Sequence, residues 1–238
     1  MRETFDLIAF DADDTLWHNL DLFTRTEERF AQMLSAYHDP QWIAQRLIET
    51  ERRNLEIFGY GVKGYTLSMI ETAVELSEGR VTGKEIERIL EFGKAMLKAP
   101  IDLLPHVEET VRALYRRIPL MIITKGDLFD QEAKIARSGL ADFFEHVEIV
   151  SEKEPETYRR ILKRYSIVPE RFLMVGNSLK SDVLPVLSLG GRAVHVPYHD
   201  TWVNELADEK KVRDADYDEL DHLGQLVEWL ESRTAQRA

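Results

Sequence analysis

Short runs of apolar residues, rich in Ile, Val, Leu and Phe, recur along the chain between polar or glycine-containing turns. Five of these runs predict strands, at residues 7–10, 120–123, 147–150, 172–175 and 193–196. Segments with the apolar period of a helix separate the last four runs. Continuous apolar runs of this length suit strands that are buried on both faces, and their alternation with helices is typical of parallel sheets. We therefore predict an α/β fold, a Rossmann-like parallel sheet sandwiched by helices.

The alternation is interrupted between the first and second predicted strands. Over residues 18–100 strand signals disappear, and the apolar spacing predicts four helices, one of them opened by a capping box of Thr82 and Glu85. We therefore predict an α/β core domain of residues 1–17 and 101–238 and an inserted α-helical domain of residues 18–100. The stretch "FGYGVKGY" inside the insertion leaves two interpretations open, a plain helix-to-helix turn or a mobile, partly aromatic loop that faces a substrate.

The pattern also predicts where the helices around the later strands begin. Pro105 is placed as a helix-starting residue, because proline suits the first turn of a helix. A closing helix is predicted over residues 223–230.

Composition narrows the classes of partner. The chain has 238 residues, a formal net charge of -12 and no cysteine. The acidic balance argues against a general nucleic-acid binder, which needs clustered Lys and Arg. No run of about eighteen apolar residues is present, so no membrane partner is expected. The absence of cysteine fits a reducing compartment, and we expect a cytoplasmic protein.

Candidate chemistry lies just after the predicted strands. Ligands of open parallel sheets bind outside the carboxyl ends of the strands, so polar residues at those positions are brought together. Taken singly, each has an ordinary explanation, since an acid pair often caps a helix and a lone lysine is usually solvated. Their convergence on one edge favours a site. The residues are Asp11 and Asp13, then Thr124, Lys125 and Gly126, then Lys153, and finally Asn177 and Asp182.

These residue types suit phosphoryl chemistry. Oxygen ligands without His or Cys favour a hard cation, and Mg²⁺ is commonly held by one or two carboxylates together with substrate phosphate and water. A carboxylate can also attack phosphorus, while a second carboxyl two residues later can protonate the leaving group. The Thr124 hydroxyl, the backbone N–H groups of Lys125 and residue 126, and the Lys153 ammonium would hold the phosphoryl oxygens.

Four stretches, "FDADDTL", "IITKG", "SEKEPETY" and "VGNSLKSD", resemble in this order the four motifs of the haloacid dehalogenase superfamily. The insertion after the first motif is similar to the C1-type helical cap of that superfamily. The resemblance implies that Asp11 is the nucleophile and Asp13 the general acid and base. It also implies that Mg²⁺ binds the side chain of Asp11 and the backbone carbonyl of Asp13, with Asn177 and Asp182 completing the site.

The resemblance further implies that Thr124 and Lys153 bind the phosphoryl group. Superfamily members that act on phosphate esters carry an aspartate two positions after the nucleophile and dehalogenating members lack it, so Asp13 favours phosphate chemistry. The implied function is a Mg²⁺-dependent phosphatase that hydrolyses a small phosphorylated metabolite through an aspartyl-phosphate. The alternatives are a nucleotidase or phosphomutase of the same superfamily, and a non-catalytic phosphoryl-binding domain.

Two positions depart from the family pattern. Asn177 stands where the fourth motif usually has an acid, and an amide oxygen ligates Mg²⁺ without adding charge. Asp14 stands where the family often has glycine, and capping the turn or contacting the site are both open for it. Outside the motifs, Lys134 in "QEAKIARSGL" is interpreted as part of a solvated helix face.

Overall fold

The computed structural model describes residues 5–235, with the side chains of residues 234 and 235 left aside. The chain divides into two compact units. The first, called here the α/β unit, comprises the described residues up to His18, Ile101–Lys125 and the described residues from Ala133 onward. The second, called here the helical unit, comprises Asn19–Pro100 and Gly126–Glu132.

The α/β unit is built on a parallel sheet, which confirms the predicted fold class. Within residues 5–235 the sheet has six strands in the order β3-β2-β1-β4-β5-β6, and every neighbouring pair is parallel. The sixth strand has two residues and lies in a polar segment that carries no apolar signal. The strands are β1 (Leu7–Phe10), β2 (Leu120–Lys125), β3 (His146–Val150), β4 (Phe172–Gly176), β5 (Arg192–His195) and β6 (Asp218–Glu219).

The sheet buries both of its faces, as the apolar runs predict. Along β1, Ile8 and Phe10 belong to one buried cluster, whereas Leu7 and Ala9 belong to another. The same alternation holds in β2 and β4, because successive side chains of a strand point to opposite faces. β3 is an edge strand and is only partly buried.

Ten α-helices lie within the described residues. None of these ten helices is long and apolar enough to cross a membrane. Pro105 does not start a helix: α5 begins two residues later at Val107, and His106 precedes it with a φ of 67°. The closing helix begins at Leu226, after a 3₁₀ turn. The helices are α1 (Leu20–Met33), α2 (Pro40–Phe58), α3 (Val62–Leu76), α4 (Gly83–Lys98), α5 (Val107–Leu114), α6 (Leu128–Arg137), α7 (Pro155–Arg164), α8 (Leu184–Leu187), α9 (Glu209–Arg213) and α10 (Leu226–Ala235).

The helical unit contains α1 to α4 around a core of its own, and the capping box of Thr82 and Glu85 opens α4. The stretch 58–65 is shorter as a loop than its glycines indicate. α2 ends at Phe58 and α3 begins at Val62, so three residues connect them. Tyr65 lies inside α3, is 4% exposed and packs against Phe23. The geometry is that of a tight helix-to-helix turn.

Candidate active site

The parallel register brings the predicted site residues to one edge of the α/β unit. Phe10, the last residue of β1, pairs with Ile122 of β2 and Val175 of β4. Asp11 continues this ladder by one bond, since its N–H donates to the carbonyl of Val175 at 2.9 Å. Thr124, buried in the last part of β2, leaves the sheet at the same edge.

A single ammonium bridges two of the predicted carboxylates. Lys153, which follows β3, donates from Nζ to Oδ1 of Asp11 and to Oδ1 of Asp182, the latter at 2.8 Å. Its side chain is 2% exposed, and those of Asp11 and Asp182 are 10% and 1% exposed. The three residues, called here the Lys153 cluster, combine two carboxylates with one cation in a region almost without solvent.

Burial and the neighbouring charges together shift the pKa values of Asp11 and Lys153. Burial raises the pKa of Asp11 to about 7; the ammonium of Lys153 opposes the rise, and the carboxylate of Asp182 adds to it. Burial also lowers the pKa of Lys153, but Asp11 and Asp182 more than offset it and hold the value above that of a free lysine. Additional positive charge at this edge would therefore stabilise the carboxylates.

Thr15 connects the first and fourth motifs. Its hydroxyl lies 3.1 Å from Oδ2 of Asp11 and 3.2 Å from Oδ1 of Asn177, so it can donate to either, and it accepts from the backbone N–H of Asn177 at 3.1 Å. This role was missed in the sequence, although the hydroxyl four residues after the predicted nucleophile was its signal. The contacts place Asp11 and the amide of Asn177 close together.

The glycine of the fourth motif is required by a close approach. A Cβ at Gly176 would lie 2.2 Å from Oδ2 of Asp182, so only glycine lets the carboxylate reach the end of β4. That oxygen accepts from the backbone N–H of Ser178 at 3.0 Å. Asp182 itself is carried by a π-helical turn, Leu179–Val183, a geometry frequent at functional sites.

Lys125 is committed to a different partner. Its Nζ pairs with the carboxylate of Glu205 and donates to Oγ of Ser181 at 3.0 Å. Glu205 also accepts from Ser178 and, at 2.6 Å, from Ser181. These four residues are called here the Glu205 cluster. The predicted phosphate-binding part of Lys125 is therefore its backbone N–H, because its ammonium is engaged in an ion pair. Glu205 was missed, since the polar sequence around it carries no motif; in the structure it ends a 3₁₀ turn, Val203–Glu205.

The carboxylate of Asp13 has two partners that the sequence did not reveal. Oδ1 accepts from the indole N–H of Trp17 at 2.7 Å, and Lys134 Nζ lies 3.0 Å from both Oδ1 and Oδ2. The interpretation of Lys134 as a solvated residue is wrong, because it is 8% exposed. Its position on α6 directs its ammonium to the first motif instead of to water.

The backbone conformation of Asp14 explains its place in the motif. Its φ is 64°, in the left-handed region, and its N–H donates to the carbonyl of Trp17 at 2.8 Å. Glycine adopts this conformation without penalty, and Asp is among the side chains that tolerate it best. The tight turn after β1 therefore explains why a residue that replaces glycine here is an aspartate.

The residues at this edge fit a hard divalent cation by their chemistry. Asp11 and Asp182 share one ammonium, the amide oxygen of Asn177 lies next to the hydroxyl that contacts Asp11, and all of these donors are oxygen. Within residues 5–235, no group of three or more Asp, Glu, His or Cys side chains is arranged to hold a metal ion. The candidate set instead combines two carboxylates, the Asn177 amide and the backbone carbonyl of Asp13.

Comparison with known sequences identifies the family of the chain. The profile of a family described as haloacid dehalogenase-like hydrolase matches residues 5–190. A glyceraldehyde 3-phosphate phosphatase of Pyrococcus furiosus is 38% identical over 82 residues, which are 32% of this chain and 34% of that protein. The chain thus spans about one third of the length of that curated relative. The Escherichia coli 5-amino-6-(5-phospho-D-ribitylamino)uracil phosphatase YigB is 26% identical over 203 residues, 78% of this chain and 81% of that protein.

Solved structures agree with this assignment. A haloacid dehalogenase-like family hydrolase from Xanthomonas campestris is 44% identical, with a TM-score of 0.85 over 98% of this chain and 93% of that one. The 2-haloacid dehalogenase of Pseudomonas syringae, 21% identical with a TM-score of 0.65 over 98% of this chain and all of that one, shares the fold. The matched profile covers most of the chain, and the chain therefore belongs to the haloacid dehalogenase-like hydrolases, a family of enzymes.

Proposed function

We propose that the chain is a Mg²⁺-dependent phosphatase that hydrolyses a small phosphorylated metabolite through an aspartyl-phosphate on Asp11. The observation that carries this proposal is the pair Asp11 and Asp13, with Asp11 contacted by the ammonium of Lys153 and Asp13 two residues later. In this proposal Asp11 attacks phosphorus, and Asp13 protonates the leaving oxygen and later deprotonates the attacking water. Thr124, the backbone N–H of Lys125 and Lys153 hold the phosphoryl oxygens.

Mg²⁺ in this proposal binds Asp11, Asp182, Asn177 and the backbone carbonyl of Asp13. When bound, it offsets the negative charge of the carboxylates and of the phosphoryl group. The protein is proposed to act in the cytoplasm, and residues 18–100 to form the cap of the enzyme. The names of the curated relatives, a glyceraldehyde 3-phosphate phosphatase and a ribitylaminouracil phosphatase, support a small phosphate monoester as substrate.

The first experiment measures inorganic phosphate released from 4-nitrophenyl phosphate with Mg²⁺. We expect the Asp11→Asn variant to lose about 1000-fold or more of the activity, because an amide cannot replace the nucleophile. Asp142→Asn, the same substitution at an exposed position of the α/β unit, serves as the control and is expected to remain active. Full activity of Asp11→Asn would overturn the mechanism.

A panel of phosphorylated metabolites then identifies the substrate and separates the alternatives. Preference for nucleoside monophosphates would indicate a nucleotidase. A phosphomutase would need a bisphosphorylated activator and would release little phosphate. A stable phosphoenzyme without turnover would indicate a phosphoryl-binding domain. Removal of Mg²⁺ by a chelator is expected to stop phosphate release, and added Mg²⁺ to restore it.

A further inference from the structure

The contact between Lys134 and Asp13 has a geometry that fixes a carboxyl group in space. Lys134 Nζ lies 3.0 Å from each oxygen of Asp13, and the indole N–H of Trp17 holds Oδ1 at 2.7 Å. Three contacts from two directions determine both the position and the plane of the carboxyl group. The side chains of Lys134 and Asp13 are only 11% and 21% exposed, so water competes little for these contacts.

Stability alone is a weak explanation for this ion pair. Replacing a buried ion pair by apolar side chains of similar size is often neutral or stabilising, because removing two charges from water offsets their attraction. The pairing of the Lys134 ammonium with the Asp13 carboxylate is better explained by the proposed chemical role of Asp13. Asp13 is the proposed acid and base, and such a group acts only when it lies within hydrogen-bond reach of the reacting oxygen.

We propose that Lys134 is a positioning residue, which holds the carboxyl of Asp13 in the orientation needed to exchange a proton with the leaving-group oxygen. This inference rests on the proposed phosphatase function and adds to it a residue outside the four motifs. The ammonium has three N–H groups, so it can keep its contact with one oxygen of Asp13 while the other oxygen carries the proton.

The proton transfers define which step depends on Lys134. In the first step a bond forms between Asp11 and phosphorus, the bond from phosphorus to the leaving oxygen breaks, and that oxygen takes the proton of Asp13. In the second step water attacks phosphorus, Asp13 takes a proton from the water, and the bond from phosphorus to Asp11 breaks. Because kcat/KM reports the steps up to release of the leaving group, it isolates the first proton transfer.

The test compares leaving groups of similar size on the Lys134→Met variant. 4-Nitrophenolate leaves without a proton, phenolate is a poorer leaving group, and the alkoxide of benzyl alcohol needs protonation most. We expect kcat/KM to fall about 100-fold for benzyl phosphate, less for phenyl phosphate, and by less than about 5-fold for 4-nitrophenyl phosphate. An equal fall with all three compounds, or no fall, would overturn the role of Lys134.

A chemical rescue distinguishes positioning from damage to the fold. Because the chain has no cysteine, Lys134→Cys introduces a single thiol. Alkylation of the unfolded variant with 2-bromoethylamine forms a carbon–sulfur bond, releases bromide and creates a lysine analogue at that position alone. After refolding, we expect kcat/KM for benzyl phosphate to return to within about 10-fold of the wild-type value.

Lys163→Cys, at an exposed position on α7, passes through the same treatment and controls for refolding. Loss that the alkylation does not reverse at residue 134, while the Lys163→Cys protein regains its activity, counts against positioning. If Lys134→Met does not fold, Lys134→Arg is measured on the same three esters, and a selective loss is again expected because its planar fork differs from an ammonium. Absence of phosphate release by the wild-type protein would instead overturn the proposed function.

Discussion

Two clusters in the α/β unit each combine one lysine with carboxylate side chains, but their charges are arranged differently. In the Lys153 cluster one ammonium faces two carboxylates, Asp11 and Asp182. In the Glu205 cluster one ammonium, that of Lys125, faces one carboxylate, which two serine hydroxyls also contact. The first cluster has an excess of negative charge and the second is balanced.

The pKa values of Asp11 and Glu205 are shifted in opposite directions. Burial raises the pKa of Asp11 to about 7. Burial also acts to raise the pKa of Glu205, but Lys125 and the serine hydroxyls outweigh it and hold the pKa below its usual range. A carboxylate that is fully compensated supports the structure, whereas an uncompensated one is prepared for an additional cation or phosphoryl group. The Glu205 cluster is therefore interpreted as support and the Lys153 cluster as the site of reaction.

The largest effect is expected when the Lys153 cluster is broken. Lys153→Met removes the ammonium and leaves Asp11 and Asp182 buried without it. We expect activity on 4-nitrophenyl phosphate to fall about 1000-fold, since a charge that stabilises the phosphoryl group is lost. The free energy of unfolding without Mg²⁺ at pH 7 should fall by about 3 kcal/mol. Urea denaturation and phosphate release measure the two effects.

The pH dependence of the stability of Lys153→Met tests this prediction further. The folded pKa of Asp11 is raised from 3.8, so its contribution to stability is present below that value and is lost as the pH rises towards 7. Without Lys153 this loss of stability becomes larger. The difference in the free energy of unfolding between the wild type and Lys153→Met should therefore shrink as the pH is lowered from 7 to 5. A difference independent of pH would show that the two carboxylates do not need the ammonium.

A smaller effect is expected when the Glu205 cluster is broken. Glu205→Gln keeps the shape of the side chain but removes the charge that pairs with Lys125, and Glu205 is only 15% exposed. We expect the free energy of unfolding at pH 7 to fall by about 2 kcal/mol. Activity should stay within about 5-fold of the wild-type value, because the side chain of Glu205 supports the edge of the sheet and is not proposed to contact the substrate.

The sign of the pH dependence is opposite for Glu205. Its folded pKa lies below the usual 4.5, so its contribution is present above pH 4.5 and is lost as the pH falls through the folded pKa. The difference between wild type and Glu205→Gln should therefore be constant near neutral pH and vanish in acid. Glu108→Gln, which breaks an exposed pair with Arg112, is the control and should change stability by no more than about 0.5 kcal/mol. A large loss of activity in Glu205→Gln would contradict the assignment of roles.

The sequence was informative where local pattern and topology determine position. Apolar runs located the strands, and parallel pairing then brings residues that follow different strands to one edge, as for Asp11, Lys153 and Asp182. The partners Lys134 and Glu205 could not be predicted in this way. A lysine on a helix and a glutamate in a polar segment without a motif have many possible neighbours, and only the path of the chain in three dimensions selects among them.

The local backbone conformation could also not be predicted from the sequence. The sequence left the role of Asp14 open, and a φ of 64° explains why an aspartate is tolerated at this turn. A helix-to-helix turn was one of the two interpretations left open for "FGYGVKGY". Its length of three residues was not evident, because the glycine-rich pattern does not show that α3 already begins at Val62. The proposed cap, the Mg²⁺ site and the roles of the site residues stay predictions.

The smallest effect is expected when a further carboxylate is added beside the Lys153 cluster, where negative charge is already in excess. Asn177→Asp adds a third carboxylate near Asp11 and Asp182, at the position where the amide oxygen lies 3.2 Å from the Thr15 hydroxyl. If Asn177 ligates Mg²⁺, the added charge should raise the affinity for Mg²⁺ about 10-fold, measured by calorimetry with Mg²⁺ alone. Without Mg²⁺ the variant should be less stable than the wild type, because like charges repel, and saturating Mg²⁺ should reverse the difference. Asn204→Asp, the same substitution next to Glu205, should leave the Mg²⁺ affinity unchanged. Equal affinities of the wild-type and Asn177→Asp proteins would remove Asn177 from the metal site and leave Asp11 and Asp182 as its two side-chain ligands.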